Sequence, residues 1–286
     1  MKIKFWGTRG SIPSPGPHTN KYGGNTPCIE VRTDRGELVI LDAGMGIWRL
    51  GRSLMASEFG SGRGKGHILF SHTHWDHIQG FPFFPPLYVP GNEFTLYGSY
   101  SPSTGRLEEI LEGQMDPYYA PMHSLKNLKA KLKFVETGEG ALTVGGASVV
   151  VKPLKHVHPA DNAQAFRIEG SSGAFVYTGD VEHPQGGIDG VVLEMARGAD
   201  ALVHDSQYTA DEYYKMRVGW GHSFYDKVVE VAIQAGVKKA FFFHHDPERT
   251  DDSLDLIVES QRKKLSESGK GGLEIMAAAE GMELEI

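Results

Sequence analysis

The segment Ser71-His72-Thr73-His74-Trp75-Asp76-His77 directly follows the apolar run Ile68-Leu69-Phe70. Three imidazoles and one carboxylate therefore lie within six residues, at the end of a run that is typical of a buried strand. Imidazole is a common ligand of zinc, iron, nickel and copper, and a neighbouring carboxylate adds a harder oxygen ligand. The density of ligand groups predicts that this segment forms the floor of a site for two metal ions.

The composition is ordinary for a globular protein, since 40% of the 286 residues are hydrophobic and 23% are charged. The formal net charge is -7 and the sequence contains no block of Lys and Arg, which counts against an extended contact with nucleic acid. A small anionic substrate remains compatible with this charge because metal ions supply positive charge locally. Cys28 is the single cysteine, so an intramolecular disulfide is excluded.

The N-terminal residues 1–7 have too short an apolar stretch for a signal peptide and are typical of a first strand. No window of the sequence approaches the length of a membrane span. We therefore expect a cytoplasmic protein without a membrane contact.

Strand-like runs and helical patterns follow one another in both halves of the chain, which predicts a mixed-sheet α/β or α+β layered domain. Five of the apolar runs are followed by His or Asp at their carboxyl ends, where sheets of this class bind ligands. The five junctions are Leu38–Leu41 with Asp42, Ile68–Phe70 with His72, Ala174–Tyr177 with Asp180, Ala201–Val203 with His204 and Asp205, and Ala240–Phe243 with His244 and His245. This repetition predicts that these groups meet in one site.

Two further histidines, His156 and His158, follow an alternating run that predicts a strand. One of them completes a three-histidine site with His72 and His74. We favour His158 because of its His-Pro context, in which case His156 either supports a ligand or is exposed.

The motifs quoted so far, in their order along the chain, resemble the metallo-β-lactamase superfamily over essentially the whole length. This resemblance implies a single domain over residues 1–286, folded as a four-layer αββα sandwich with the site at one edge of its two sheets. It implies two divalent ions, one bound by His72, His74 and His158, the other by Asp76, His77 and His244, with Asp180 bridging them.

Two such ions about 3.5–4 Å apart share a water, lower its pKa and polarise a phosphoryl or carbonyl oxygen. Asp76 would additionally orient the resulting hydroxide. Zinc is the first expectation, and manganese or iron is accepted by the same ligands. Glu at the position of His74 would have indicated a redox di-iron branch, so His74 favours hydrolysis.

The second half of the chain narrows the resemblance to the phosphodiesterase branch, which includes ribonuclease Z and cyclic-nucleotide phosphodiesterases. The segments that carry it are Leu202–Tyr208, Gly219–Ser223, Gly7–Pro13 and Tyr22–Thr26. It implies that His222 lies beside the leaving oxygen as a proton donor and that Asp205 orients it. His204 is assigned to the same catalytic group, with a supporting position as the alternative. A helix-capping or core position is the alternative for His222.

In ribonuclease Z a flexible arm that grips transfer RNA is inserted before the bridging aspartate, and the interval from His158 to Asp180 is too short for it. The first hypothesis is therefore a metal-dependent phosphodiesterase in which an activated hydroxide attacks a small cyclic phosphodiester, such as a 3',5'-cyclic nucleotide. The alternatives are a ribonuclease Z-like endonuclease for RNA 3' ends and a thioesterase or lactonase. By resemblance we also expect a homodimer.

Residues from about 81 to 139 are expected to form a lid-like insertion whose aromatic side chains stack on a base, with ordinary loop packing or a dimer contact as the alternatives. Asp42 matches a superfamily position that braces the metal-ligand loop, so we assign it structural support. His183, in polar surroundings, is expected at the surface.

Overall fold

The computed structural model describes residues 1–118, 120, 124–154, 163–269 and 272–286. Within these ranges the strands are β1 (Lys2–Gly7), β2 (Cys28–Arg32), β3 (Leu38–Leu41), β4 (Lys65–Leu69), β5 (Glu93–Ser99), β6 (Lys131–Thr137), β7 (Gly140–Val144), β8 (Ala147–Pro153), β9 (Gln164–Glu169), β10 (Ala174–Tyr177), β11 (Ala201–Asp205), β12 (Lys239–Phe243), β13 (Glu274–Ala277) and β14 (Glu283–Glu285). The helices are α1 (Gly46–Leu54), α2 (Trp75–Ile78), α3 (Leu107–Gly113), α4 (Gly190–Ala196), α5 (Ala210–Glu212), α6 (Tyr225–Ala235) and α7 (Asp251–Glu267). No helix in this part of the chain is long and apolar enough to cross a membrane.

The strands form two seven-stranded sheets. The first sheet has the order β14-β1-β2-β3-β4-β5-β6, and the second has the order β13-β12-β11-β10-β9-β8-β7. Strands β3 to β6 are parallel to one another, as are β10 to β13, and the other pairs are antiparallel. Parallel strands end at the same edge of their sheet, which brings the polar residues after them together.

Apolar side chains fill the space between the sheets and the spaces on their outer faces. Strand β3 is buried on both faces: Val39 and Leu41 pack between the sheets, whereas Leu38 and Ile40 pack towards α1 and α3. On the far side, α4, α6 and α7 cover the second sheet. A continuous apolar run is what a strand buried on both faces requires. The four-layer αββα sandwich expected from the sequence is thereby confirmed.

The range 81–139 differs from the expected lid because it contains β5 and β6, two strands of the first sheet. Phe81 and Phe84 are completely buried in the cluster that α1 forms with the outer face of this sheet. These two rings therefore cannot stack on a substrate base, which corrects that part of the expectation. A lid role stays a prediction only for the residues between β5 and β6.

The edge strands β7 and β14 and the helix α4 were not predicted. Both edge strands carry mostly exposed side chains, so they lack the apolar alternation that marks a half-buried strand. Helix α4 has a readable signal, since the Asp189 side chain accepts hydrogen bonds from the backbone N–H groups of Val191 and Val192 as an N-cap.

Candidate metal centre

The polar residues that follow β3, β4, β10, β11 and β12 converge at one edge of the two sheets. One ligand atom from each of Asp76, His77, Asp180 and His244 lies within 4.8 Å of the others, and the same is true of His72, His74 and Asp180. Asp180 belongs to both groups, which is the position that a bridging ligand requires. His156 and His158, the two candidates for the third histidine, lie outside the described residues.

The imidazole of His77 is oriented by the buried carboxylate of Asp42, which follows β3. His77 Nδ1 lies 2.8 Å from Asp42 Oδ2 and donates to it, so Nε2 carries the lone pair. Nε2 has no hydrogen-bond partner among the described residues and lies 3.4 Å from Asp76 Oδ2 and 3.3 Å from Asp180 Oδ1. A buried lone pair that faces two carboxylate oxygens fits a divalent cation, because a cation is what compensates this concentration of negative charge.

Asp42 accepts three further hydrogen bonds. They come from the Ser71 backbone N–H (2.6 Å), the Ser71 hydroxyl (2.7 Å) and the Tyr177 hydroxyl (2.6 Å). Asp42 itself has a φ of 59°, a left-handed conformation that Asp and Asn adopt more easily than most residues. The expected structural support by Asp42 is thus confirmed, and Tyr177 adds a contribution from the second sheet.

We call the two groups of residues that share Asp180 the metal-ligand cluster. Another imidazole of this cluster, that of His244, is oriented by a neutral group. Its Nδ1 lies 3.2 Å from Gln207 Oε1, and its Nε2 lies 2.9 Å from Asp76 Oδ2. With Nδ1–H donated to Gln207, the lone pair of Nε2 faces a carboxylate oxygen, as in His77. The Ser11 backbone N–H donates to the same oxygen at 2.8 Å and helps to fix Asp76.

The N-terminal motif Gly7–Pro13 takes part in this arrangement. A Cβ atom on Gly10 would lie 2.4 Å from His244 Nδ1, so a larger residue at this position would displace the imidazole. Arg9 is completely buried and donates to the backbone carbonyls of Gly23, Asp246 and Arg249. The motif therefore packs against the metal-ligand cluster and helps to keep His244 in place. Its sequence alone did not reveal this role.

His222 forms a second carboxylate–imidazole pair at the edge of the cluster. Its Nδ1 lies 3.1 Å from Asp205 Oδ2, and its ring stacks on His244 at 4.9 Å between centroids. Burial alone would lower the pKa of His222, but the carboxylates of Asp205, Asp180 and Asp76 outweigh it and raise the pKa to about 9. Bound cations would oppose this shift. Asp205 is fully buried and also accepts from the backbone N–H of Ser223.

A cavity of about 550 Å³ opens over the cluster, within the size range of small-molecule sites. The residues that line it are Ser11, Ile12, His74, Asp76, Asp180, Gln207, Tyr208, Arg217, Trp220, His222, His244, Asp246, Pro247 and Glu248. The cluster and His222 therefore face one shared space, large enough for a nucleotide-sized group.

His204 lies away from this cavity, which corrects its assignment to the catalytic group. It is completely buried, its Nε2 lies 3.1 Å from His183 Nε2, and its Nδ1 donates to the Asp205 carbonyl at 2.7 Å. Both ring nitrogens are thus engaged by the protein. Burial lowers the pKa of His204, and burial together with His204 lowers the pKa of His183 to about 2. His183, expected at the surface, is 5% exposed.

Comparison with known proteins agrees with this architecture. The model of a family described as the beta-lactamase superfamily domain matches residues 38–245. A ribonuclease Z of Methanosarcina mazei is 25% identical over 341 residues, covering 100% of this chain and 98% of the relative. A ribonuclease Z of Haloarcula marismortui is 22% identical over 327 residues, covering 100% and 97%.

Solved structures share the fold. A diphosphatase from the PhnP family has a TM-score of 0.67 and 22% identity, covering 100% of this chain and 97% of its own. The short form of human tRNase Z has a TM-score of 0.62 and 18% identity, covering 100% and 99%. At these identities the likeness concerns the fold alone.

Proposed function

Since this chain belongs to the beta-lactamase superfamily, we propose that it is a metal-dependent hydrolase whose substrates are phosphodiesters. The observation that carries the proposal is the position of His222, which lines the same cavity as Asp76 and Asp180 and has Asp205 behind it. The alkoxide of a phosphodiester is a poor leaving group unless its oxygen is protonated. A histidine beside the metal ligands can supply this proton. Thioesters and lactones need such a donor less, which makes them the weaker candidates.

We propose that the cluster holds two divalent ions, with zinc as the first candidate. One site takes His72, His74 and Asp180, the other takes Asp76, His77, His244 and Asp180. Cations bound by these ligands would lower the pKa of a water towards neutrality and polarise a phosphoryl oxygen.

The protein groups around the cluster position the proton that the reaction needs. His222 donates Nδ1–H to Asp205 Oδ2, which leaves Nε2–H to protonate the leaving oxygen. The Asp205 carboxylate is held by the backbone N–H groups of Val181 and Ser223, at 3.1 and 3.2 Å. It therefore keeps the imidazole in one orientation and stabilises its protonated form. The Asp76 carboxylate, fixed by the Ser11 N–H, is oriented to hold the attacking water.

The substrate that the comparisons favour is RNA, because the curated relatives that span this chain are ribonucleases Z. This supports the alternative of the sequence analysis over its first hypothesis, a 3',5'-cyclic nucleotide. The net charge of -7 counts against a long nucleic-acid contact. We therefore propose a short single-stranded 3' end of RNA as the substrate.

A small phosphodiester stays as the second candidate because of one local feature. Strands β9 and β10, which precede Asp180, are joined by the tight turn 170–173, in which Gly170 N–H donates to the Gly173 carbonyl at 2.8 Å. The alignment with the Methanosarcina mazei relative spans 341 residues, more than the 286 of this chain. The relative thus has segments without a counterpart here, so any contact that those segments make with a folded RNA is not available to this chain.

A substrate panel with metal content measured on the same samples tests the proposal. The zinc-loaded protein and His222→Ala are compared on a precursor transfer RNA, a 3',5'-cyclic nucleotide, bis(p-nitrophenyl) phosphate and a thioester. We expect wild type to cleave the aryl diester and the RNA, and His222→Ala to retain its metal, to lose most of its activity on the RNA and to lose less of its activity on the aryl diester. A metal-loaded wild type that cleaves only the thioester would contradict the proposal, and cleavage of the cyclic nucleotide without the RNA would favour the second candidate.

A homodimer remains a proposal that rests on the resemblance, and a cytoplasmic location remains a proposal that rests on the single cysteine of the sequence. Sedimentation of the purified chain tests the first, and fractionation of cells that express it tests the second.

A further inference from the structure

Arg217 lies on the wall of the cavity that opens over the metal-ligand cluster. Among the described residues, no carboxylate forms an ion pair with it. Its guanidinium carbon is 4.2 Å from the centroid of the Trp220 ring and 5.6 Å from that of Tyr208. Within the described part of the chain its guanidinium makes no hydrogen bond and no ion pair. The other half-buried arginine of this region, Arg249, instead forms an ion pair with Glu212 at 2.6 Å.

Hydrogen bonds to a buried carboxylate hold the segment that carries Arg217 in place. This segment begins with the π-helical turn Tyr213–Arg217. This geometry is rare in proteins overall, and where it occurs it is often at a functional site. The buried carboxylate of Glu182 accepts hydrogen bonds from the Tyr213 hydroxyl and from the backbone N–H groups of Gly219 and Gly221, each at 2.7 Å. Arg217 lies between these attachments, so its side chain is presented by an ordered backbone.

The charges on the cavity wall distinguish Arg217 from the other lining residues. The other charged lining residues outside the histidines are acidic, and they are Asp76, Asp180, Asp246 and Glu248. Among the described lining residues Arg217 is therefore the one Lys or Arg side chain. A planar guanidinium with unused donors is the group that binds phosphate in a bidentate manner, and stacking on aromatic rings fixes its plane.

Arg217 is connected to the reacting groups through a succession of aromatic rings. It contacts the Tyr208 ring, the Tyr208 ring lies 6.0 Å from that of His222, and His222 stacks on the metal-site residue His244. Two rings in succession thus connect Arg217 to the cluster. This position beyond Tyr208 and His222 points to a phosphate other than the one at the metal ligands.

We propose that Arg217 binds a non-scissile phosphate of the substrate, so that the site selects phosphodiesters with a second phosphate next to the one that is cleaved. This inference rests on the proposed phosphodiesterase function. It favours a nucleotide chain, in which every residue carries a phosphate, over a cyclic nucleotide, which carries one. The specificity is set at the rim, whereas the cluster carries out the chemistry.

The first experiment compares substrates that differ by one phosphate. The zinc-loaded protein is assayed on the dinucleotide UpU and on its terminally phosphorylated forms pUpU and UpUp. We expect wild type to favour one phosphorylated form by roughly 10- to 100-fold in kcat/KM, the usual worth of a hydrogen bond to a charged group. Arg217→Gln should abolish this preference by lowering kcat/KM for the favoured phosphorylated form far more than for UpU, and Arg217→Lys should restore part of it.

Lys215→Gln is the matched control. Lys215 belongs to the same turn and its side chain is 73% exposed, but it pairs with Asp211 and is not among the described residues that line this cavity. It removes the same charge from the same segment, so a general electrostatic effect would change both variants alike. An equal loss on UpU and its phosphorylated forms in Arg217→Gln would overturn the inference, because it would assign Arg217 to the scissile phosphate.

A binding measurement separates this inference from the function on which it rests. Calorimetry compares a nucleoside 3',5'-bisphosphate with the two monophosphates, which contain no diester to cleave. A preference of about 10-fold for the bisphosphate that Arg217→Gln removes supports the inference even if no diester is hydrolysed, in which case only the proposed function fails. Cleavage of diesters together with equal binding of the three nucleotides overturns the inference alone.

Discussion

Two carboxylate–imidazole pairs, Asp42–His77 and Asp205–His222, each place an imidazole against the ring of His244, and the proposed function gives the two pairs different chemistry. In each pair an Asp at the end of a strand fixes Nδ1 of a histidine, at 2.8 Å in the first sheet and 3.1 Å in the second. The His77 side chain is fully buried, and its second nitrogen faces two carboxylates. The His222 side chain is 12% exposed and lines the cavity.

The difference shows that the same pair acquires its role from what surrounds the second nitrogen. A fully buried lone pair among carboxylates is suited to a cation, whereas a nitrogen at the edge of a cavity is suited to proton exchange with a substrate. Under the proposed function, the first half of the chain would contribute a metal ligand from its pair, and the second half would contribute a proton donor. Replacing each member in turn separates metal binding from proton transfer.

The largest effect is expected for His77→Ala. It removes an oriented ligand, and the water that the metals activate is lost with the ion. We expect metal content to fall by at least one ion per chain and diester hydrolysis to fall to the background rate, as measured by mass spectrometry of metals and by the aryl diester assay. Full activity at full metal content would remove His77 from the ligand set and make the two pairs alike.

A smaller loss is expected for His222→Ala, because the metal cluster remains. Loss of one general acid lowers the rate by roughly 10²- to 10⁴-fold, and metal content should equal that of wild type. An aryl diester with a good leaving group needs protonation less, so it should be affected less than an alkyl diester. Equal losses on both esters would contradict the role of His222 as the proton donor.

Asp42→Asn tests the orienting partner of the first pair. Asn tolerates the φ of 59° at this position, so the backbone is kept, and the change removes the negative charge behind His77 together with one of the two acceptor oxygens. Metal affinity should fall by about 10- to 100-fold, the usual effect of losing a partner of a ligating histidine. Competition with a chelator measures it.

Gln207→Ala is the comparison variant for Asp42→Asn. Gln207 holds His244 through a neutral amide at 3.2 Å. Its loss should lower metal affinity less than the loss of a carboxylate at 2.8 Å. An equal or larger loss in Gln207→Ala would show that charge behind the imidazole is not what distinguishes the two ligands.

The sequence allowed the prediction of polar site residues that lie at the ends of apolar strands. Asp42, Asp180, Asp205 and His244 each follow a buried run, and parallel strand order then brings the ends together. The local segment 71–77 predicted the densest part of the site for the same reason. Local patterns suffice wherever a residue's role depends on its position along a strand.

Residues whose role depends on a distant partner could not be predicted. Gln207, Glu182 and Tyr177 carry no pattern of their own, and each acquires its role from a partner 31 or more residues away. His183 was expected at the surface for the same reason, since burial follows from its contact with His204 in β11. Polar residues in a core become recognisable only when tertiary contacts supply their hydrogen bonds.

The smallest effect is expected for Tyr177→Phe, which removes one donor from the first pair and leaves its charges intact. The Tyr177 hydroxyl reaches from β10 in the second sheet to Asp42 in the first at 2.6 Å, and its ring packs edge-on against Phe243 at 5.7 Å. Phe keeps the packing, and Asp42 keeps three donors. Denaturant titration should therefore show a loss of roughly 1.5–3 kcal/mol in the free energy of unfolding, the range for a hydrogen bond to a charged group. Metal affinity should change by less than it does in Asp42→Asn, because His77 Nδ1 still meets a carboxylate. A loss of metal affinity as large as that of Asp42→Asn would mean that the second sheet, through Tyr177, orients the ligand of the first, and the two pairs would no longer be independent.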